Sequence, residues 1–410
     1  MGGRVAALAA FVVVAGGLAG GSPSAGVTVS TDGPIDDGRA FVAAAERLVA
    51  VRLGAVEGDD RSGFLATVDP GNRDFLARQA AYFDNLGELP VETFELAVKP
   101  GGVPATIQRR GVTQFVVLQT LQLREYDASP VVTEDLYTFV KGPDGRPLLT
   151  DDRDSKFDSL NGWLPAPWDL GPVTLREQRG VLAVFDDRTA PYADEVTHTV
   201  ADALEDVDRV VPVWEDHVVV YDSTDTTLMD RGSAMDVSDT AGLAFPVLRS
   251  PDDGRLAAMR FAINPDYDMS SASSFVFRHE LTHVAVHSLD YASPVWLREG
   301  AADLVAAEEV PVAFRDLVLR RSAGQVAGAT DLPEGRTFYE VDPGRSYALS
   351  LLACEWIAHR YGIGRLWRLM AAFGEDPATF DYEVDRVVRR ELGLDTRQLT
   401  ATAIAWAKSL

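Results

Sequence analysis

The sequence predicts an α+β protein with two domains, and three observations lead to this fold class. The chain has 410 residues, which is longer than one hydrophobic core usually serves. Its hydrophobic content of 46% is that of a globular protein. Along the chain the apolar residues change from helical spacing to strict alternation and back, so helices and strands follow one another in blocks.

Residues 1–25 are predicted to be a signal peptide or an N-terminal anchor. Arg4 precedes an apolar run from Val5 to Ala19, and small residues follow it, which is the layout of a secretory signal. The run is shorter than the ~20 apolar residues that span a bilayer comfortably. We therefore expect a secreted or extracytoplasmic protein, with membrane attachment only through this segment if it is retained.

Charge and cysteine usage exclude two kinds of site. The net charge of −24 argues against a nucleic-acid partner, because binding phosphates requires a basic surface. The single cysteine, Cys354, excludes an internal disulfide and a cysteine-based zinc site. It lies in an apolar helical run, where we expect it to be a small buried hydrophobic residue.

A first folded domain is predicted over residues 38–165, after a polar linker at residues 26–37. It begins with helical segments such as FVAAAERLVAVRLGAVEG, and from about Glu92 the pattern alternates with a period of two. The turn KGPDGRP joins two of these predicted strands. Helices followed by a curved antiparallel sheet resemble the cone-shaped nuclear-transport-factor-2-like domain. No catalytic group of residues is evident in this half.

A second domain is predicted over residues 175–410, beyond a segment rich in Pro, Gly and Trp. Its strands are GVLAVFDD, DHVVVYDS and RLAAMRFAIN, with a helix between the first two. A stretch rich in Asp, Ser and Thr, predicted to be a loop, extends to about Leu243. From Pro294 onward the pattern is helical, so this domain combines a small mixed sheet with a helical C-terminal part.

The segment FVFRHELTHVAVHSL contains the first part of a predicted metal site. His279, Glu280 and His283 form the spacing HExxH within an apolar helical pattern. Residues i and i+4 of a helix lie on the same face, so both imidazoles can point at one zinc ion. Glu280 lies beside them, where it can take a proton from a metal-bound water.

A third ligand is needed, and His287 is not suited to it. His279 and His287 are separated by about 12 Å along a helix, because each residue adds ~1.5 Å. The pattern HExxHxxGxxH also fails, since Val286 and Leu289 stand at its glycine and last histidine. Glu299, on the helix predicted after Pro294, is the better candidate because two packed helices would bring it to the ion.

Together, HELTH and WLREGAAD resemble the gluzincin zinc metallopeptidases, and within them the secreted peptidase MA-like branch. The resemblance covers about residues 180–410 and includes a strand before the HExxH helix and a later helix that ends in YG. It implies a zincin-like metallopeptidase domain. The spacer between His283 and Glu299 is shorter here than in thermolysin and the large aminopeptidases.

The resemblance implies a role for each site residue. One Zn²⁺ ion would be bound by His279, His283 and Glu299, with Glu280 as general base. Two further roles stay open. Asp303 either orients a ligand histidine or is a solvated acid on a helix face. Tyr347 either stabilises the oxyanion or packs at a helix start, and Ser350 stands where the aminopeptidases have glycine.

These residues predict an exported zinc-dependent metallopeptidase that hydrolyses peptide bonds with a metal-activated water and a glutamate base. Its partner would be a peptide or protein substrate, bound along the edge of the strand RLAAMRFAIN. The Gly-x-Met-Glu-Asn motif of aminopeptidases is absent, which favours an endopeptidase. The alternative is an exported binding or scaffolding protein with a non-catalytic zinc site. The oligomeric state stays open.

Overall fold

The computed structural model describes residues 35–99, 112–161, 164–212, 217–232, 241–266, 273–290, 292–335, 337–378 and 380–410. They form a mixed α+β structure with one four-stranded and one five-stranded sheet, so the predicted α+β class is confirmed. The likeness of the first part to a nuclear-transport-factor-2-like cone and the predicted domain limits stay predictions. The predicted signal or anchor, residues 1–25, lies outside the described residues.

The N-terminal part consists of helices followed by an antiparallel sheet. Its elements are α1 (Ile35–Glu57), α2 (Arg61–Leu65), α3 (Arg73–Glu88), β1 (Val91–Val98), β2 (Val112–Leu123), β3 (Val131–Lys141), β4 (Pro147–Asp151) and α4 (Ser155–Asn161). Asn72 begins α3 by accepting a hydrogen bond from the Phe75 backbone N–H. The strands pair in sequence order, and Phe75, Phe115 and Phe139 lie in the core beneath them. Sequential pairing is the common arrangement, because consecutive strands of a chain are usually neighbours in a sheet.

The second sheet is mixed. Its elements and the helices among them are α5 (Pro167–Leu170), β5 (Thr174–Gln178), β6 (Val181–Phe185), α6 (Ala193–Asp208), β7 (Val218–Asp222), α7 (Thr227–Gly232), β8 (Gly242–Leu248) and β9 (Leu256–Ile263). The strand order is β5-β6-β7-β9-β8, with β6, β7 and β9 parallel. The outer strands β5 and β8 pair antiparallel with their neighbours.

Helices make up the rest of the chain. They are α8 (Ser273–Asp290), α9 (Val295–Ala307), α10 (Val312–Gln325), α11 (Thr337–Glu340), α12 (Pro343–Tyr361), α13 (Gly364–Glu375), α14 (Asp381–Leu392) and α15 (Thr396–Ser409). Every residue of α9 is buried, because α8 and α12 pack on it from different sides. Within the described residues, no helix has the length and apolar character needed to cross a bilayer.

The central strands β6, β7 and β9 of the five-stranded sheet are buried on both faces, which explains their nearly continuous apolar sequences. On one face Val184 and Tyr221 pack with Phe83 and Leu123 of the N-terminal part. On the other face the intervening strand residues pack with the helices α6 and α8. The two predicted domains therefore share a hydrophobic core at this sheet.

A buried ion pair crosses the same interface. Arg260 Nη2 on β9 lies 3.0 Å from Asp127 Oδ1, which follows β2, and the two side chains are 7% and 0% exposed. Arg260 also donates a hydrogen bond to the Tyr221 hydroxyl. An ion pair in this environment is costly to break on one side only, because the remaining charge stays buried.

The expectation that RLAAMRFAIN offers a free edge to a peptide is wrong. This strand, β9, lies between β7 and β8 inside the sheet. The outer strand on this side of the described sheet is β8. Its sequence GLAFPVL is short, contains Pro246 and follows a polar stretch, so the sequence pattern does not distinguish it from a loop.

We expect Asp127→Ala to destabilise the protein by about 3–5 kcal/mol, because it leaves the Arg260 guanidinium buried without its counter-ion. Urea denaturation of the full chain measures this. The control is Asp84→Ala, which breaks the exposed pair between Arg61 and Asp84 and should cause a much smaller loss. Equal losses in the two variants would show that the buried pair does not hold the interface together.

The environment of Asp222, at the end of β7, indicates that the free energy of unfolding depends on pH. Burial, with repulsion from Asp186, raises the pKa of Asp222 to about 7. Its Oδ1 accepts no hydrogen bond from the described residues. The folded state thus keeps a proton that the unfolded state loses near pH ~4, so this carboxyl lowers the free energy of unfolding as pH rises from about 4 to 7.

We therefore expect Asp222→Asn to remove part of the wild-type loss of stability between pH 5 and pH 8. The difference between the two chains should grow by about 2 kcal/mol over that interval. Denaturation curves at both pH values give this number. A constant difference would mean that Asp222 titrates normally in the folded protein.

Candidate metal centre and active site

The two histidines of the HExxH segment lie side by side in α8. The i, i+4 spacing puts both imidazoles on the face of α8 that packs against α9. His279 Nε2 and His283 Nε2 are 3.1 Å apart, and both side chains are fully buried. Two ring nitrogens at this distance can share one metal ion.

Glu299 reaches the same point from α9. Its Oε2 lies 3.4 Å from His279 Nε2 and 3.6 Å from His283 Nε2. Among the described residues these three are the one group of His, Cys, Asp or Glu whose ligand atoms come this close together. The structure thus brings together the three residues that the sequence predicts as metal ligands.

The spacing of the three ligand atoms fits a tetrahedral ion. Zinc lies ~2.0 Å from nitrogen and oxygen ligands, and a tetrahedron's edge is about 1.63 times its centre-to-corner distance, so ligands should be about 3.3 Å apart. The observed separations are 3.1, 3.4 and 3.6 Å. No described residue donates a hydrogen bond of normal geometry to Glu299 Oε2, so that oxygen is available as a ligand.

Charge at the site also favours a cation. Burial alone would lower the pKa of His279, but the hydrogen bond to Asp303 and the nearby Glu299 carboxylate outweigh it and raise the pKa to about 10. Burial opposes ionisation of Glu299 too, yet His283 and His279 bring its pKa down to about 2. Both shifts show an environment in which positive charge next to Glu299 is stabilised.

Asp303 lies one turn after Glu299 on α9 and holds His279 in place. Its Oδ1 is 2.9 Å from His279 Nδ1, on the opposite side of the ring from Glu299. Asp303 is only 9% exposed, so the alternative of a solvated surface acid is wrong. A carboxylate at Nδ1 directs the lone pair of Nε2 to the metal position and makes it a stronger ligand.

Glu280 is held by β8. Its Oε2 accepts a hydrogen bond from the Ala244 backbone N–H at 2.8 Å, while Oε1 accepts none from the described residues. Burial raises the pKa of this carboxyl. The carboxylate is therefore fixed through one oxygen and has the other available for proton transfer. The sequence does not predict this contact, since β8 begins within the stretch that is predicted to be a loop.

Two tyrosines lie close to the ligands. Tyr347, in the first turns of α12, is 5% exposed, and its ring centre is 6.4 Å from that of His279. Its hydroxyl has no hydrogen-bond partner among the described residues.

Tyr339 on α11 donates a hydrogen bond to Glu299 Oε1 at 2.9 Å. No sequence motif points to Tyr339, whose contact arises only from tertiary packing.

Gly300 explains how α9 can lie so close to α12. A Cβ atom at this position would be 2.3 Å from the Ser350 carbonyl oxygen and 2.7 Å from Cys354 Sγ. Backbone atoms cannot yield to such a contact, so α9 and α12 approach this closely only with glycine here. Since Gly300 follows Glu299 directly, the same contact fixes how deeply Glu299 lies between α8 and α12.

His287 lies outside this group. It is half-buried in the last turns of α8, where its Nδ1 is 2.8 Å from the Val284 carbonyl oxygen.

Cys354 is fully buried, as expected for a small hydrophobic residue, and its Sγ is 3.7 Å from the Leu297 carbonyl oxygen.

Comparison with known proteins gives only distant likenesses. No family model matches the chain, and no curated protein matches it. Among solved structures, an M1 zinc metallopeptidase from Deinococcus radiodurans is 13% identical with a TM-score of 0.33, covering 72% of this chain and 60% of the other. A mutant of that organism's M1 zinc metallopeptidase bound to a Tyr-Ser-Ala substrate is 12% identical with a TM-score of 0.34.

A two-domain M1 zinc metallopeptidase mutant bound to L-tryptophan is also 12% identical, with a TM-score of 0.33. The chain spans about three fifths of the length of these proteins, 60–61%. These scores lie below the level that establishes a shared fold.

The close approach at Gly300 predicts a large effect of one added methyl group. We expect Gly300→Ala to lower the free energy of unfolding by on the order of 2 kcal/mol or more, because the methyl group meets backbone atoms of α12. Gly324→Ala is the control: it is also helical, and its Cβ would meet nothing within 4 Å. That variant should be as stable as wild type or slightly more so. Denaturation of both variants distinguishes packing at Gly300 from a general helix effect.

Proposed function

We propose that this chain is an exported zinc-dependent metallopeptidase with Glu280 as its general base and His279, His283 and Glu299 as zinc ligands. The observation that carries the proposal is the near-tetrahedral spacing of the three ligand atoms, 3.1–3.6 Å apart, with a base on the same helix. Export is inferred from the apolar N-terminal run and the acidic composition.

A bound zinc ion supplies Lewis acidity, which lowers the pKa of water to ~7 and polarises a carbonyl group. Glu280 Oε1 is placed to accept the water proton, because Oε2 is held by the Ala244 N–H. Burial raises the pKa of Glu280, so the carboxyl can keep the proton until it passes to the leaving nitrogen. These are the two proton transfers that hydrolysis of an amide requires.

Tyr347 is the better of the two tyrosines for stabilising the oxyanion. The Tyr339 hydroxyl already donates to Glu299, whereas the Tyr347 hydroxyl donates to no described residue. Burial raises the pKa of Tyr347 far above neutrality, so this group stays a hydrogen-bond donor. A buried donor aimed at developing negative charge is worth more than the same group in water.

We propose that a substrate peptide pairs with the edge of β8, and not with β9. Strand β8 is the outer strand beside α8, and its Ala244 N–H contacts the base. A peptide that pairs its main chain with this edge would place an internal amide bond near Glu280. Such pairing needs no free amino terminus, which supports an endopeptidase acting on peptide or protein substrates.

A second function is favoured by one observation. His279, Glu280, His283 and Glu299 are all 0% exposed. A peptide bond cannot reach the base in this conformation, so catalysis requires a movement that admits substrate. A zinc site that never opens would instead be structural, as in an exported binding or scaffolding protein. The presence of a base next to the ligands favours the peptidase, because a structural site does not need one.

Glu280→Gln separates these two functions. We expect the wild-type chain to hold one zinc ion and to cleave a broad peptide pool, with cleavage abolished by a chelator and restored by zinc. The amide of the variant keeps an acceptor for the Ala244 N–H but cannot take a proton, so cleavage should fall about 10²–10⁴-fold with zinc content unchanged. Mass spectrometry of the digests and metal analysis provide the measurements.

Two further variants complete this test. Glu299→Ala should lose zinc, while Glu340→Gln, an exposed glutamate on α11, should retain both zinc and activity. Zinc in both the wild-type chain and Glu280→Gln, with cleavage by neither, would support the non-catalytic site. Unchanged zinc affinity in Glu299→Ala would show that the third ligand lies elsewhere.

A further inference from the structure

We propose that Tyr339 is a positioning residue that sets the metal affinity of the site by orienting Glu299, and that Glu334 assists by fixing the start of α9. This inference rests on the proposed zinc site. It adds two residues that lie outside the HExxH and WLREGAAD segments and that neither motif indicates.

The hydrogen bond from Tyr339 determines which oxygen of Glu299 faces the histidines. The Tyr339 hydroxyl holds Oε1 at 2.9 Å, and Oε2 is left 3.4 and 3.6 Å from the two ring nitrogens. A carboxylate that rotates freely would present either oxygen at a range of angles and would lose conformational entropy on binding the ion. With Oε1 fixed, Glu299 is preorganised to bind through one oxygen.

The environment of this hydrogen bond makes it strong. Tyr339 is 7% exposed and Glu299 is 0% exposed, so water does not compete for Oε1. A hydrogen bond to an ionised carboxylate is about twice as strong as one between neutral groups. Removing the donor would leave a buried carboxylate oxygen without its partner, and the binding site would lose the contact that fixes its orientation.

Glu334 acts at the start of the same helix. Its Oε1 accepts a hydrogen bond from the Val295 backbone N–H at 3.0 Å. The residue at the N-cap of α9 is Pro294, which provides no side-chain cap, so Glu334 supplies the missing acceptor from a distant loop. A carboxylate at this end also complements the helix dipole. Val295 and Glu299 are four residues apart and lie on the same face of α9.

Packing and hydrogen bonding of Tyr339 can be separated experimentally. Its ring packs against Phe338, with ring centres 4.7 Å apart, and a phenylalanine would keep that contact. Tyr339→Phe therefore removes the hydroxyl and little else. Tyr361→Phe is the control for loss of a tyrosine hydroxyl, because that hydroxyl donates to the Leu392 carbonyl oxygen at 3.0 Å, in a part of the helical region that holds none of the proposed ligands.

The test measures zinc affinity of the full apo chain by competition with a chromophoric chelator. Loss of an outer partner of a metal ligand typically weakens binding about 10–100-fold, and we expect that range for Tyr339→Phe. Tyr361→Phe should bind zinc as wild type does. The visible spectrum of the cobalt-substituted protein should change for Tyr339→Phe only, since it reports ligand geometry independently of activity.

Thermal unfolding of the apo variants separates positioning from general stability. Weaker zinc binding by a Tyr339→Phe apo chain that remains folded at the temperature of the binding measurement would support the inference. Zinc affinity within about two-fold of wild type together with an unchanged cobalt spectrum would overturn it. If Tyr339→Phe does not fold, Glu334→Ala carries the test, because it removes the acceptor of the Val295 N–H. Zinc affinity that is several-fold weaker supports the inference, and unchanged affinity overturns it. A wild-type chain without zinc affinity would overturn the proposed function itself.

Discussion

The packing of α9 between α8 and α12 is the constraint on which the site depends. Glu299 can meet His279 and His283 only if α9 lies deep against α8, and the absence of a side chain at Gly300 permits that depth on the α12 side. All residues of α9 are buried, and most of them are apolar or small, while its two carboxylates Glu299 and Asp303 contact the histidines of α8. The carboxylate of Glu299, a proposed ligand, is therefore part of a packed core, which holds it more accurately than a loop could.

The five-stranded sheet connects this core to the rest of the molecule. On the helical side, the Ala244 N–H of β8 fixes Glu280, while on the opposite face the sheet packs on the N-terminal part. The buried pair of Arg260 and Asp127 lies in that second interface. The N-terminal part thus supports the strand that holds Glu280, the proposed base, without supplying any of the proposed ligands.

Local spacing predicts much of the site, and tertiary contacts determine the rest. His279 and His283 can be assigned because a helix places i and i+4 on one face, and Glu299 because Pro294 separates two helical patterns. Strand β8 is not predictable, since its burial comes from packing against α8 and its pattern is short and contains a proline. The role of Tyr339 cannot be predicted from the sequence, because a single tyrosine in a short helix forms no motif and no repeating pattern.

Electrostatics connects the metal site to folding. Glu280, Glu299 and Asp303 are buried around two imidazoles, and with neutral histidines their charges would be uncompensated. Burying an unpaired carboxylate is costly, so without a metal ion the cluster takes up protons, as the pKa of about 10 for His279 indicates. A divalent cation provides the same compensation at closer range. Since the ligands converge only in the folded chain, the free energy of binding such an ion is also free energy of folding.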